Sequence, residues 1–294
     1  MELGDHSWGG EAEVVAAHVV GAVEATDGDP VKISSSAEAG GIGWLGEERV
    51  QCHGVHPNEW RGHNGIRKRV KQGVSWVYPS AMNLKRYRHV IWDWNGTLLD
   101  DAWLCREIMN GQLRQRGLPT MSEERYEAVF DFPVESYYRR VGFSWEKETF
   151  EQAGTEFILE YEKRKKECRL QIGASDVLRQ VAATGVSQAV LSAYSHQALE
   201  GFLVHFGVRE HFLSVAGSED HYAEGKVVQG LRMLEALHVA PEETVLVGDT
   251  THDAEVAKAM GVACILIPCG HNSRDRLMRC GVEVIAGLGE LRFG

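Results

Sequence analysis

The chain has 294 residues, of which 44% are hydrophobic and 25% charged, enough apolar material for one large core or two modest ones. Its formal net charge of −11 weighs against nucleic acid and anionic membrane as partners, since both need clustered Lys and Arg. A phosphate-bearing substrate is not excluded, because a bound cation reverses the local field.

Residues 1–81 are rich in Gly, His and Trp, with loop-like stretches such as Ser34-Ser35-Ser36 and Gly40-Gly41 and few sustained apolar periodicities. They are expected to form an irregular or disordered extension, and Met82, where the pattern changes, is a candidate initiator. The apolar stretch 14–23 is interrupted by His18, too short for a bilayer and poorly flanked for a signal peptide. The basic cluster Arg67-Lys68-Arg69 with Lys71 reads as a solvated face. Six cysteines (Cys52, Cys105, Cys168, Cys264, Cys269, Cys280) lack any C-x-x-C spacing, which suits free thiols in a reducing cytoplasm.

From Met82 onward, short β-rich apolar runs alternate with helical periodicity, the pattern of an α/β fold in which helices flank a parallel sheet. Strands are expected at 89–94, 188–192, 212–215, 244–247 and 263–267. Helices are expected at 197–206, 226–237 and 251–260, with Gly261 at the last C-cap. Between the first two strands, residues 103–172 read as helical throughout, with amphipathic segments at 103–116, 122–130, 134–141 and 145–166. Such an insert is too long for an ordinary crossover and reads as a helical subdomain. The expected organisation is therefore an extension (1–81), a core (82–102 and 173–294) and a helical subdomain (103–172).

The chemistry-bearing residues stand where apolar runs end. In Val90-Ile91-Trp92-Asp93-Trp94-Asn95-Gly96-Thr97, a carboxylate sits between a buried strand and a Gly-containing turn, where open α/β sheets bind ligands. A carboxylate so placed can attack phosphorus covalently, although Asx-Gly after a strand is also ordinary turn chemistry. In Val247-Gly248-Asp249-Thr250-Thr251-His252-Asp253, two carboxylates four apart can face one side and suit Mg²⁺; helix capping by Asp249 or Thr250 is the plainer alternative. Ser192 ends another apolar run and offers a hydroxyl and, with Ala193, backbone N–H groups to a phosphoryl oxygen. Lys226 opens a helix and can offset charge on nucleophile and phosphate.

Together, Asp93…Asn95-Gly96-Thr97, Ser192, Lys226 and Gly248-Asp249…Asp253 resemble the four motifs of the haloacid dehalogenase superfamily, over about residues 86–294 and closest to its phosphoglycolate-phosphatase-like branch. The resemblance implies a Rossmann-like sheet with a helical cap inserted after the first strand. It also implies Mg²⁺ held by the Asp93 side chain, the Asn95 carbonyl and Asp249, with Asp253 close by, and phosphate bound by Gly96, Thr97, Ser192, Ala193 and Lys226. The expected activity is hydrolysis of a small phosphorylated metabolite through a phosphoaspartate on Asp93, by a cytoplasmic monomer or homodimer. The sequence departs from the pattern at Asn95, where phosphatases of the superfamily usually carry an acid/base Asp. An amide cannot exchange a proton in that way, so phosphonate cleavage, phosphoryl transfer to another acceptor and a non-catalytic binding module stay open. His252 and His271 are alternative proton carriers, each also readable as a cap or loop hydrogen-bonding residue.

Overall fold

The computed structural model describes residues 84–218 and 225–291; the expectations for residues 1–81 and for Met82 lie outside them. Eight strands are distinguished: β1 (His89–Trp92), β2 (Leu99–Asp100), β3 (Arg169–Leu170), β4 (Ser187–Ser195), β5 (Ser214–Ser218), β6 (Thr244–Gly248), β7 (Ala263–Leu266) and β8 (Glu283–Val284). Six of them form one parallel sheet in the order β5-β4-β1-β6-β7-β8. β1 lies at its centre with all four residues buried, which is why it reads as an unbroken apolar run rather than an alternating one.

Side-chain alternation along these strands assigns the two layers. Ile91, Ala189, Leu191 and Leu246 pack with Met233, Leu234, Val256 and Met260, so one face is covered by helices Lys226–Leu237 and Thr251–Met260. Val90, Trp92, Val190, Val245 and Val247 face the other way, against Val177, Leu178, Leu199 and Phe202 of helices Ala174–Thr184 and His196–His205. The chain leaves β1 toward β4 and β5, then returns to the opposite side for β6, β7 and β8. That reversal opens a crevice at the carboxyl end of β1, the usual place for a ligand in such sheets.

The segment between β1 and β4 carries four helices, labelled α1 (Ala102–Gln115), α2 (Glu123–Val129), α3 (Val134–Arg140) and α4 (Phe150–Arg164). Expectation and structure differ at its base. Arg169–Leu170 is not helical but pairs antiparallel with Leu99–Asp100, a ribbon that joins both connections of the insert to the core. Two-residue strands are too short for alternation to show in the sequence. The strand expected at 212–215 instead starts at Ser214, because Arg209–His211 forms a 3₁₀ turn and Phe212 is its buried cap. β4 extends beyond Ser192 to Ser195, which pairs with Ser218 after a register shift.

Helices Lys226–Leu237 and Thr251–Met260 have the expected bounds, and Gly261 ends the latter at φ +73°. The five cysteines among the described residues are free thiols. No helix among them is long and apolar enough to cross a membrane.

Candidate active site

Two strand ends and the helix after one of them bring three carboxylates together. Asp93 follows β1, its N–H donating to the Val247 carbonyl at 2.9 Å, which locks the two central strands side by side where the site begins. Asp249 follows β6, and Asp253 lies in the first turn of the helix beyond it. All three are buried, with carboxylate oxygens within 4.8 Å of one another. The Thr97 hydroxyl lies in donating range of both Asp93 Oδ2 (3.1 Å) and Asp249 Oδ1 (2.9 Å). Gly96 takes a positive φ of +78°, and a Cβ there would collide with the Asp249 carboxylate and the His271 ring.

Lys226, itself buried, donates to Asp93 Oδ1 at 2.7 Å and to Asp253 Oδ1 at 2.6 Å. Burial opposes its charge, but the two carboxylates more than offset this and raise its pKa. Burial likewise pushes Asp93 above the usual carboxylate range, against the pull of Lys226. It pushes Asp249 up too, since His271 lowers it only in part. Asp253 stays low despite burial, because Lys226 and Thr250 stabilise its ionised form. Its second oxygen closes a capping box with Thr250 and accepts from that residue's N–H at 3.0 Å. Capping and charge placement, which the sequence presents as alternatives, thus coexist in one side chain.

A second group lies beside the first. Asp101 is 1% exposed and accepts from Asn95 Nδ2 (2.7 Å), the Gly96 N–H (2.8 Å) and the Tyr161 hydroxyl (2.7 Å). His271 Nε2 lies 3.7 Å from Asp101 Oδ1, its Nδ1 is 2.7 Å from the Tyr126 hydroxyl, and its N–H donates to Asp249 Oδ2 at 2.6 Å. Burial alone would lower the His271 pKa; Asp101, Asp249 and Asp93 reverse that and raise it to about 9. Asp101 is drawn below its ordinary value because the bonds from His271, Asn95 and Tyr161 outweigh burial. Tyr161 belongs to α4 and Tyr126 to α2, so this network ties the loop after β1 to the inserted helices.

A cavity over these groups is lined by Asp93, Asn95, Ser192, Ala193, Lys226 and Asp253, together with Asp101, His252 and His271. Gly96 and Thr97, expected at phosphate, are not among its lining residues: the Thr97 hydroxyl is turned onto the two carboxylates and the Gly96 N–H onto Asp101. His252 stacks on Phe132 with ring centroids 4.7 Å apart and has Glu255 3.4 Å from its Nδ1.

Residues 90–267, more than half of the chain, match the family described as haloacid dehalogenase-like hydrolase. The chain belongs to that family. This haloacid dehalogenase-like hydrolase is 27% identical over 208 residues to tyrosine-protein kinase PtkA of Mycobacterium tuberculosis, covering 69% of this chain and 70% of that one. It is 26% identical over 194 residues to phosphoglycolate phosphatase of Synechococcus elongatus, covering 64% and 87%. The solved structure of the Mycobacterium protein is similar, with a TM-score of 0.59 at 26% identity over 69% of this chain and 95% of that one. A haloacid dehalogenase-like family hydrolase from Streptococcus pneumoniae shares the fold, with a TM-score of 0.60 at 18% identity over 70% and 96%.

Sequence reasoning misses several residues around the site of this hydrolase. Asp101 follows Asp100 as one more acidic residue at a turn, and only the fold reveals its partners. Gln171 donates to the carbonyls of Gly96 (3.1 Å) and Cys269 (2.8 Å), clamping the loops after β1 and β7. Asn272 accepts from the Thr251 N–H at 3.0 Å and donates to the Phe130 carbonyl at 3.1 Å, joining helix Thr251–Met260 to the insert. Side-chain amides making paired bonds leave no periodic trace in a sequence.

Proposed function

We propose that this hydrolase is a Mg²⁺-dependent phosphomonoesterase in which Asp93 attacks phosphorus and carries the phosphoryl group as a phosphoaspartate. The observation that supports it most is Lys226 held between Asp93 and Asp253, beside a third buried carboxylate, at the switch point of the sheet. The donor set fits a hard divalent cation. Lys226 balances only part of the charge of three buried carboxylates, and oxygen-only ligands suit Mg²⁺. In this reading Asp93, Asp249 and the Asn95 carbonyl hold the ion, with Asp253 close by, and the ion would neutralise charge on the phosphoryl oxygens.

The chain's own groups then divide the work. An Asp93 oxygen forms the bond to phosphorus as the ester P–O bond breaks, and Lys226 keeps that carboxylate ionised and oriented. The Ser192 hydroxyl and the Ala193 amide, in the last part of β4, receive phosphoryl oxygens. Thr97 steadies the carboxylates rather than binding phosphate. Water then cleaves the phosphoaspartate and frees Asp93. The expected substrate is a small phosphorylated metabolite, and the expected setting a cytoplasmic monomer or homodimer.

Asn95 supports a second reading, phosphoryl transfer to an acceptor other than water, because its amide cannot activate water for the second half-reaction. Similarity to a protein named as a tyrosine kinase points the same way. The two readings share the first half-reaction and separate in one experiment. With Mg²⁺ and 4-nitrophenyl phosphate, hydrolysis releases nitrophenol and inorganic phosphate in equal amounts. Transfer releases nitrophenol while phosphate appears on an added acceptor. A binding module without catalysis releases neither, and Asp93→Asn should abolish both reactions.

A further inference from the structure

The cavity above Asp93 has a polar floor and an aromatic wall. Tyr126, Phe130, Tyr137, Phe157 and Tyr161 line it from the inserted segment, and Tyr194 from the end of β4. Among the described residues, no Lys or Arg of the insert lines it. Of the insert's cations, Arg116 pairs with Glu148 and Glu156 and Arg164 with Glu107 and Glu167, while Lys165 pairs with Glu162 and donates to the hydroxyl of Tyr194, a lining residue, at 3.2 Å. The basic residues that do line the cavity are Lys226, His252 and His271. Lys226 faces Asp93 and Asp253, His271 lies near Asp101 and Asp249, and His252 is beside Glu255. A substrate with a carboxylate or second phosphate on its organic part would bury that charge beside Asp101 and Asp253 with no spare cation among the described residues. An uncharged aromatic group would instead gain apolar burial and ring contacts.

Asn95 adds a second observation, from chemistry. A phenolate leaves with little protonation, whereas an alkoxide needs the proton that an amide cannot deliver.

We infer that the site takes aryl phosphomonoesters, the phosphate at Asp93 and Lys226 and an uncharged aromatic ring against the Tyr137 and Phe157 wall. This rests on the phosphomonoesterase reading for its chemistry but makes a separate claim about recognition. The ester P–O bond breaks, the phenolate departs and takes a proton from solvent, and Asp93 receives the phosphoryl group.

Recognition is tested without turnover by calorimetric titration of the full chain, in Mg²⁺, with benzylphosphonate, propylphosphonate and phosphonoacetate. Benzylphosphonate should bind at least about tenfold tighter than the other two. Phe157→Ala should remove most of that margin. Phosphonoacetate binding as tightly as benzylphosphonate, or a wild-type preference for propylphosphonate, would overturn the inference even if Phe157→Ala failed to fold. Turnover is read separately with benzyl and propyl phosphate, whose alkoxide leaving groups are alike, so that a difference in kcat/KM reports the ring. Ring-selective binding with no hydrolysis of any ester would sink the phosphomonoesterase reading and spare the recognition claim; hydrolysis without ring preference would do the reverse.

Discussion

At the residue scale, Asn95 is matched to its neighbour. Its amide donates to Asp101 Oδ2 at 2.7 Å, so a carboxylate at position 95 would turn a hydrogen bond into like-charge repulsion in a buried place. Asn95→Asp is therefore expected to cost about 1–3 kcal/mol of stability at neutral pH. The exchange Asn95→Asp with Asp101→Asn should restore much of it, which paired urea denaturation curves would check. In the same double variant, an acid/base group stands where the family usually carries one, and alkyl phosphate turnover should rise by up to about 10²–10⁴-fold, with a smaller gain for aryl esters. Unchanged alkyl turnover in a stable, folded double variant would mean that another group already moves the proton. Asp93, Ser192, Lys226 and Asp249 are legible in the sequence because each immediately follows an apolar run or opens a helix. Asp101 is not, because its role depends on Tyr161, 60 residues on, and on His271, brought close only by the fold.

At the element scale, β1 carries a titratable group within the sheet. His89 is fully buried, its Nδ1 2.7 Å from the Ser187 hydroxyl, and burial lowers its pKa to about 4. The folded state thus keeps His89 neutral at pH values where the unfolded chain, at about 6.5, already binds a proton. Its contribution to stability is complete above about pH 6.5 and declines as pH falls toward 4, by up to about 3 kcal/mol. Replacing it by Leu should remove that part of the acid sensitivity, seen as a smaller fall in unfolding free energy between pH 7 and 5 than in wild type. At the end of β6, Thr250→Ala breaks the capping box and should cost about 1 kcal/mol, read from the thermal midpoint. The helix end at Gly261 is legible because glycine marks it chemically. The β2–β3 ribbon is not, since two residues show no period, and the start of β5 is displaced by a 3₁₀ turn whose buried Phe212 reads like part of a strand.

At the scale of the whole molecule, one sheet positions the clustered carboxylates and the inserted helices supply most of the wall above them, joined through Asp101, Tyr161, His271 and Asn272. The order of apolar runs and the long helical insert are visible in the sequence, since strand alternation with helices and insert length both follow from local pattern. The aromatic enclosure is not, because its members come from α2, α3, α4 and β4, and periodicity alone assigns them to a packed core. We propose that residues 82–102 with 173–294 form the core and 103–172 the cap. A chain begun at Met82 should then be soluble and keep the full kcat/KM, whereas insoluble or inactive protein would show that the preceding residues are needed. The central claim is covalent catalysis by Asp93, tested most directly by quenching the Mg²⁺-loaded enzyme during turnover of 4-nitrophenyl phosphate, reducing with borohydride and mapping the peptide by mass spectrometry. Homoserine in place of Asp93, absent when Mg²⁺ is chelated, is the predicted result; sustained turnover with an unmodified Asp93, or with the label on another residue, would contradict it.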